Sequence, residues 1–261
     1  MHLIQNKSTR ALIMIMIALV FVGIGIASVY YKYYNAQNDP RVVEARKLYE
    51  QYNALAQANN FIALFELLDS IEHIYCQYPH YQNSYEVGVL YNNRSAAYLL
   101  MALYNDSMQL FTVNSSLLML SRDSLFVLSE ITGNRSKAIY EKWLQKYGSK
   151  QEKEIKLLLK DDFTVGLENF EKSDINKFMK RRVEEILNAQ LETKRRLSVS
   201  YTNLGIIHRH RDEYKAAIES YKKAMELWDR NLTAENNLNV LLGRPTKKRN
   251  FIQKMFPPEK K

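Results

Sequence analysis

Residues 11–29, ALIMIMIALVFVGIGIASV, contain no charged side chain. About 20 such residues in a helix match the hydrocarbon layer of a bilayer. Lys7 and Arg10 precede the run, and Tyr30, Tyr31, Tyr33 and Tyr34 follow it, as basic and aromatic interfacial residues do. The expectation is a short N-terminal tail over 1–10 and a transmembrane signal anchor over 11–31. Gly25 and Ala27 also have the small-residue spacing of a signal-peptide cleavage site, so processing after Ala27 is a competing reading. The apolar core of a signal peptide is usually about 7–15 residues, and the longer run favours the anchor. A basic N-terminal end predicts a single-pass membrane protein with its domain on the non-cytoplasmic side, periplasmic in a Gram-negative cell. Lys32, Arg41, Arg46 and Lys47 lie beyond the run and weaken that asymmetry.

Beyond a linker over 32–40, the chain reads as helix. Its 8 glycines and 5 prolines among 261 residues leave few breaks, which disfavours sheet-rich folds. No stretch alternates as a strand would. Apolar residues recur at helical spacing over 41–58 (Val42, Ala45, Leu48, Tyr49, Tyr52) and 61–78 (Ile62, Phe65, Leu68, Ile71, Tyr75). Asn59 and Asn60 mark the turn between these two helices. Further helices are expected over 81–104, 115–131 (ended by Gly133), 135–147 (ended by Gly148), 153–160, 175–210, 214–229 and 233–242. Asp39 with Pro40, and Ser173 with Asp174, supply starts; Asp212, Gly243 and Pro245 supply stops. The 18 tyrosines suit inter-helix seams, where a ring packs and a hydroxyl stays wet.

The most informative segment is 198–231, SVSYTNLGIIHRHRDEYKAAIESYKKAMELWDRN, 34 residues long. It resembles one tetratricopeptide repeat (TPR): a large aromatic and a Leu-Gly pair on a first helix, then small, aromatic and small residues on a second. The matching positions are Tyr201, Leu204, Gly205, Ala217, Tyr221 and Ala224. The small residues allow the two helices to approach, and the aromatics fill the space beside that contact. His208 stands where the pattern has an aromatic, and Asp229 where it has proline. Residues 233–242 read as a capping helix over the last apolar face. A degenerate copy lies at 90–98, with Arg94 and Ser95 in the Leu-Gly slots and Tyr91 and Tyr98 as aromatics. The resemblance implies an all-α, TPR-like α-solenoid of antiparallel helix pairs over 41–245, preceded by one transmembrane helix. It implies a groove for a protein or peptide partner without saying which residues line it.

No catalytic, cofactor or metal site is expected. His208 and His210 are two apart and point to different sides of a helix; His73 and His80 flank a proline break. Neither a phosphate loop nor a nucleophile elbow is present. Cys76, the single cysteine, sits in an apolar stretch and reads as a structural thiol. Asn-x-Ser/Thr triplets, Asn93 and Asn231 among them, read as coincidence in an Asn-rich chain. The net charge of +9 is partly gathered in the tail 246–261, where Lys247, Lys248, Arg249 and Lys254 interleave with Phe251, Ile252 and Phe256. That tail is expected to be disordered, with anionic lipid as its possible contact and nucleic acid disfavoured. The functional expectation is a non-enzymatic, membrane-anchored interaction scaffold or adaptor. The alternatives are a fixed structural subunit of an envelope complex, or a tail that binds anionic lipid or nucleic acid.

Overall fold

The computed structural model describes residues 7–35, 37–104 and 120–248. Among them the fold is all helical, with no strand. The α-helices are α1 (Lys7–Asn35), α2 (Val43–Tyr49), α3 (Tyr52–Gln57), α4 (Phe61–Cys76), α5 (Tyr85–Tyr104), α6 (Arg122–Tyr147), α7 (Glu152–Leu159), α8 (Lys172–His210), α9 (Tyr214–Leu227) and α10 (Leu232–Leu241).

The expectation of a single-pass membrane protein is overturned. Among the described residues no helix is long and apolar enough to cross a membrane. The side chains described in α1 run over 13–28 and are exposed. With no such helix among the described residues, the anchor over 11–31 is withdrawn, and with it the side a domain would face. Most of the tail 246–261 lies outside the described residues, as do 1–6 and the start of the helix expected over 115–131. Lys247 is described, and it is held: its backbone N–H donates to Asn236 Oδ1 at 2.7 Å and its carbonyl accepts from Asn236 Nδ2 at 2.9 Å.

Local signals explain most helix ends. The Asp39 carboxylate accepts from the Arg41 backbone N–H at 3.0 Å, starting a short 3-10 turn at Pro40. Asn59 takes a left-handed conformation (φ 52°), which Asn tolerates, and Asn60 caps α4 through Ala63 N–H. Asp212 (φ 59°) turns the chain between α8 and α9. The 41–58 helix is broken at Glu50 and Gln51 into α2 and α3. α8 starts after Glu171, ahead of the expected Ser173–Asp174 cap.

The larger departure is at Gly133, expected to end a helix. α6 runs straight through it. A Cβ on Gly133 would come 2.9 Å from Ser95 Oγ and 3.3 Å from Leu204 Cδ2. This glycine makes room for two neighbouring helices and caps nothing.

Two of the helix–helix contacts are antiparallel. Gly88 meets Tyr140 and Ser136, while Ser95 meets Ser129 and Gly133, so α5 and α6 run in opposite directions. Gly205 meets Tyr221 and Ser198 meets Ala224, which sets α8 against α9 in the same way. The main core joins α4, α5, α6 and α8 through Leu64, Leu68, Ile71, Leu90, Leu125 and Leu204. A second core holds Trp143, Ile155, Leu159, Phe163, Leu167 and Phe178 around α7. Each such side chain removed from water contributes about 1.5–3 kcal/mol. α8, 39 residues long, spans about 58 Å and touches both cores.

Candidate functional site

The six repeat-like positions fall in two places. Gly205 has no room for a side chain: a Cβ there would lie 2.5 Å from Tyr221 Cε1. Ala217, Tyr221 and Ala224 are fully buried in a small core with Ala234 and Leu238. Leu204 sits in the main core instead and lies over Gly133. Tyr201 donates its hydroxyl to Glu141 Oε1 at 2.7 Å; burial first, then this bond, pushes its pKa up to about 12. His208 pairs with Glu213 at 2.5 Å. Asn231 is a structural hub: its Oδ1 caps α10 at Ala234 N–H, and its Nδ2 donates to Ser198 Oγ (2.7 Å) and Thr202 Oγ1 (2.9 Å).

At 90–98 the outcome is different. Arg94 is turned outward onto Asp69 and Glu72 of α4. The close helix contact belongs to Gly88, where a Cβ would lie 2.5 Å from Tyr140 Cε1. Ser136 Oγ donates to the Gly88 carbonyl at 3.0 Å and lies 3.2 Å from Ser200 Oγ, which donates to Asn92 Oδ1 at 2.9 Å. Small hydroxyl residues therefore line the seam between α5, α6 and α8, satisfying one another in the interior.

A cleft of about 910 Å³ opens beside this seam, between α2, α5, the end of α6 and the middle of α8. Arg182, Glu185, Ile186, Ala189, Glu192 and Arg196 line it. Their three- and four-residue spacing lays one stripe of α8 along it. Opposite stand Arg46 and Tyr49 of α2, Tyr85, Glu86 and Val89 of α5, and Trp143 of α6. Tyr75 of α4 closes one side, its ring 5.5 Å from that of Tyr81.

The cleft is charged along one wall. Arg46 grips Glu185 with two nitrogens, at 2.7 and 2.8 Å. Arg182, only 3 % exposed, forks onto Glu86, reaches Glu185 at 3.2 Å, and donates through Nε to His80 Nε2 at 2.9 Å. Its guanidinium lies 4.6 Å from the Tyr81 ring centroid. Burial alone would favour the neutral acid at Glu86, but Arg182, its hydrogen bonds and Arg46 outweigh it and bring the carboxyl down to about 2. Burial, reinforced by Arg182, holds His80 neutral, well below the usual imidazole range. Burial also pushes the Tyr85 phenol up to about 12. At the other end Glu192 accepts from Arg196 Nε at 3.1 Å and lies 3.7 Å from Arg195.

Behind this wall a second ion pair secures the chain entering α2. Asp39 and Arg41 are both buried, joined at 2.6 and 2.9 Å, with the Tyr81 hydroxyl donating to Asp39 at 2.9 Å. Arg41 also donates to the Val165 carbonyl and lies 4.8 Å from the Phe163 ring centroid. Sequence reasoning missed both networks. Their one trace was the unusual placing of Asp39, Arg41, His80 and Tyr81 in otherwise apolar or helix-starting segments.

Cys76 is half-buried, with its thiol pushed up by burial and then by Glu72. Among the described residues, no group of three or more His, Cys, Asp or Glu is placed to hold a metal. The cleft offers arginines, aromatic rings and paired carboxylates, a lining suited to holding a side chain or a peptide. No family model, no curated protein and no solved structure matches the chain.

Proposed function

We propose that this chain is a non-enzymatic protein-interaction scaffold, a TPR-like array of helix pairs that holds a segment of another protein in the cleft along α8. The observation that carries the reading is the cleft itself. Five helices, α2, α4, α5, α6 and α8, converge on one concavity of about 910 Å³. Tyr49, Tyr75, Tyr85 and Trp143 supply large, rigid apolar surfaces, and the arginines supply directional donors, the residue types enriched where proteins bind proteins. The TPR-like part of the reading rests on repetition: Gly88 with Tyr140, and Gly205 with Tyr221, close their helix pairs by the same contact.

A photocrosslinking side chain at Leu191, 37 % exposed and lining the cleft, tests this in the source cells. Ile131 on α6, 59 % exposed and outside the cleft, is the control position. The expected result is a discrete crosslinked protein from Leu191 alone. The crosslinked stretch, remade as a peptide, should bind the purified full chain. Equal crosslinking from both positions, or a remade peptide without affinity, would remove the basis for the reading.

A further inference from the structure

After α10 ends at Leu241 the chain turns back on it. Gly243 takes a left-handed conformation (φ 67°), and nothing lies within 4 Å of where its Cβ would stand. The Arg244 N–H donates to the Asn239 carbonyl at 2.7 Å, the hydrogen bond of a glycine-ended helix. Pro245 fixes its own φ and keeps Arg244 out of the helical region, so 244–248 leaves the helix and returns beside Asn236. Asn236 holds Lys247 by both main-chain groups. Its Oδ1 accepts from the Lys247 N–H at 2.7 Å, and its Nδ2 donates to the Lys247 carbonyl at 2.9 Å. A side-chain amide carries the donor and the acceptor of a peptide group, so Asn236 pairs with this residue as a neighbouring strand would. Glu235 beside it takes the Lys247 ammonium at 2.5 Å. Residues 242–248 are all exposed. Polar contacts at the surface, each weak, therefore hold this strap, and burial does not.

We propose that the Glu235–Asn236 edge of α10 is a docking site for an extended segment of another protein bearing a basic side chain, and that the chain's own Lys247 occupies it as an internal ligand. The seated segment shows the chemistry the site accepts. In an extended residue the N–H and the carbonyl point the same way, and Asn236 reads the two together. Any residue except proline offers that pair, so the contact selects backbone shape. Glu235 then selects a cation at the same residue. A nucleic acid has no such N–H and carbonyl in its backbone, and its phosphates would meet Glu235. An acidic segment is repelled for the same reason. The exposed strap can be displaced, because few weak contacts hold it and Gly243 turns in open space. No residue of α10 lines the cleft, so this second site stands whether or not the cleft holds a peptide.

The test follows the Asn236 side-chain amide by NMR in the full chain, labelled at asparagine and kept in mild detergent to cover the exposed side chains of α1. Asn236→Gln assigns the signal by its loss. Lys247→Pro removes the N–H and the ammonium together and empties the site at an exposed position, where no core is disturbed. The probe is the peptide Arg-Pro-Thr-Lys-Lys, the sequence of 244–248, blocked at both ends. It should move the Asn236 signal of the Lys247→Pro chain back towards its wild-type position at millimolar concentration. The wild-type chain should need at least about tenfold more peptide, because its own strap competes at high effective concentration. Glu235→Gln placed in the Lys247→Pro chain should weaken binding severalfold, and added salt should do the same. A probe with proline in place of its first lysine should not bind. No shift in the emptied site, an equal shift from the proline probe, or equal affinity for the wild-type and Lys247→Pro chains overturns the inference. A concentration-dependent dimer of the wild-type chain that Lys247→Pro abolishes would give the strap to a second copy, and overturns a separate partner.

Discussion

The helix pairs α5–α6 and α8–α9 meet by the same device and differ in how the chain delivers it. In α8–α9, Gly205 and Tyr221 lie within one 34-residue stretch, joined by a turn at Asp212. In α5–α6, Gly88 and Tyr140 belong to helices that end at Tyr104 and start at Arg122, and the two residues lie far apart in sequence. Both glycines place a tyrosine ring where a Cβ would be, at 2.5 Å in each case. Ala217 fills the adjoining position in one pair; in the other, Ser136 fills it and donates to the Gly88 carbonyl. The contact is set by backbone separation, so any connection length that returns the second helix at the right height can make it. A short connection leaves the pattern readable, and a long one erases the spacing while keeping the physics.

The sharpest way to break this comparison is to remove the rings. Tyr140→Ala and Tyr221→Ala should each cost about 3–5 kcal/mol, as large buried aromatics do. Urea denaturation with hydrogen exchange should show Tyr140→Ala loosening α5, α6 and α8 together, and Tyr221→Ala loosening chiefly α9 and α10. Equal, global loss from both would mean the two pairs are not separate units.

Adding the missing methyl is the next largest change. Gly88→Ala and Gly205→Ala should each cost about 1–3 kcal/mol by overpacking. Combined with Tyr140→Leu or Tyr221→Leu respectively, each should show a favourable coupling of about 0.5–3 kcal/mol. Strict additivity in either double-mutant cycle would separate the glycine from the ring.

Acid should act most strongly beside α5, although burial also lowers the pKa of His210 at the end of α8. His80 is held below its usual value, so the unfolded chain binds its proton first as pH drops. Stability is therefore full above about 6.5 and falls below it, by at most about 1.4 kcal/mol per pH unit for this one proton. Glu86, at about 2 in the fold, adds a second loss below about 4.5 for the same reason. Exchange should quicken around Glu86 and Arg182 before it does in α9 and α10. His80→Gln should flatten the first step, and an unchanged pH profile would show that the imidazole does not carry it.

The smallest effect concerns the hydroxyls. The Tyr140 and Tyr221 phenols are buried without a hydrogen-bond partner among the described residues. Tyr140→Phe and Tyr221→Phe should be neutral or raise stability by about 1 kcal/mol, because an unsatisfied polar atom leaves the core. A loss of stability measured by thermal melting would point to an ordered water on that oxygen.

Helical periodicity made α4, α5, α8, α9 and α10 legible, along with the glycine and aromatic contacts of 198–231. It failed where a residue type has two uses. Gly133 carries the signature of a helix stop, yet it sits inside α6 because Ser95 and Leu204 press against it. Arg94 and Ser95 occupied the spacing of a Leu-Gly pair, but the close approach fell at Gly88, two turns earlier along the same helix face. The long uncharged run at 11–29 suggested a membrane span that the described part of α1 does not provide. The cleft left almost no trace, since its parts are ordinary salt-bridging residues until α2, α5, α6 and α8 are brought together.

The chain's own order of residues determined that it would be helical, because apolar side chains at three- and four-residue intervals can be buried together only on a helix. It also determined the α8–α9 contact, since residues a few turns apart meet through a tight turn whatever the rest of the molecule does. Which helix lies against which in the remainder, which arginine finds which glutamate, and where a concavity stays open were decided by tertiary packing. Those outcomes depend on side chains as far as 139 residues apart, such as Arg46 and Glu185, arriving at one place. No local spacing encodes that meeting; the energy of burying the two cores does.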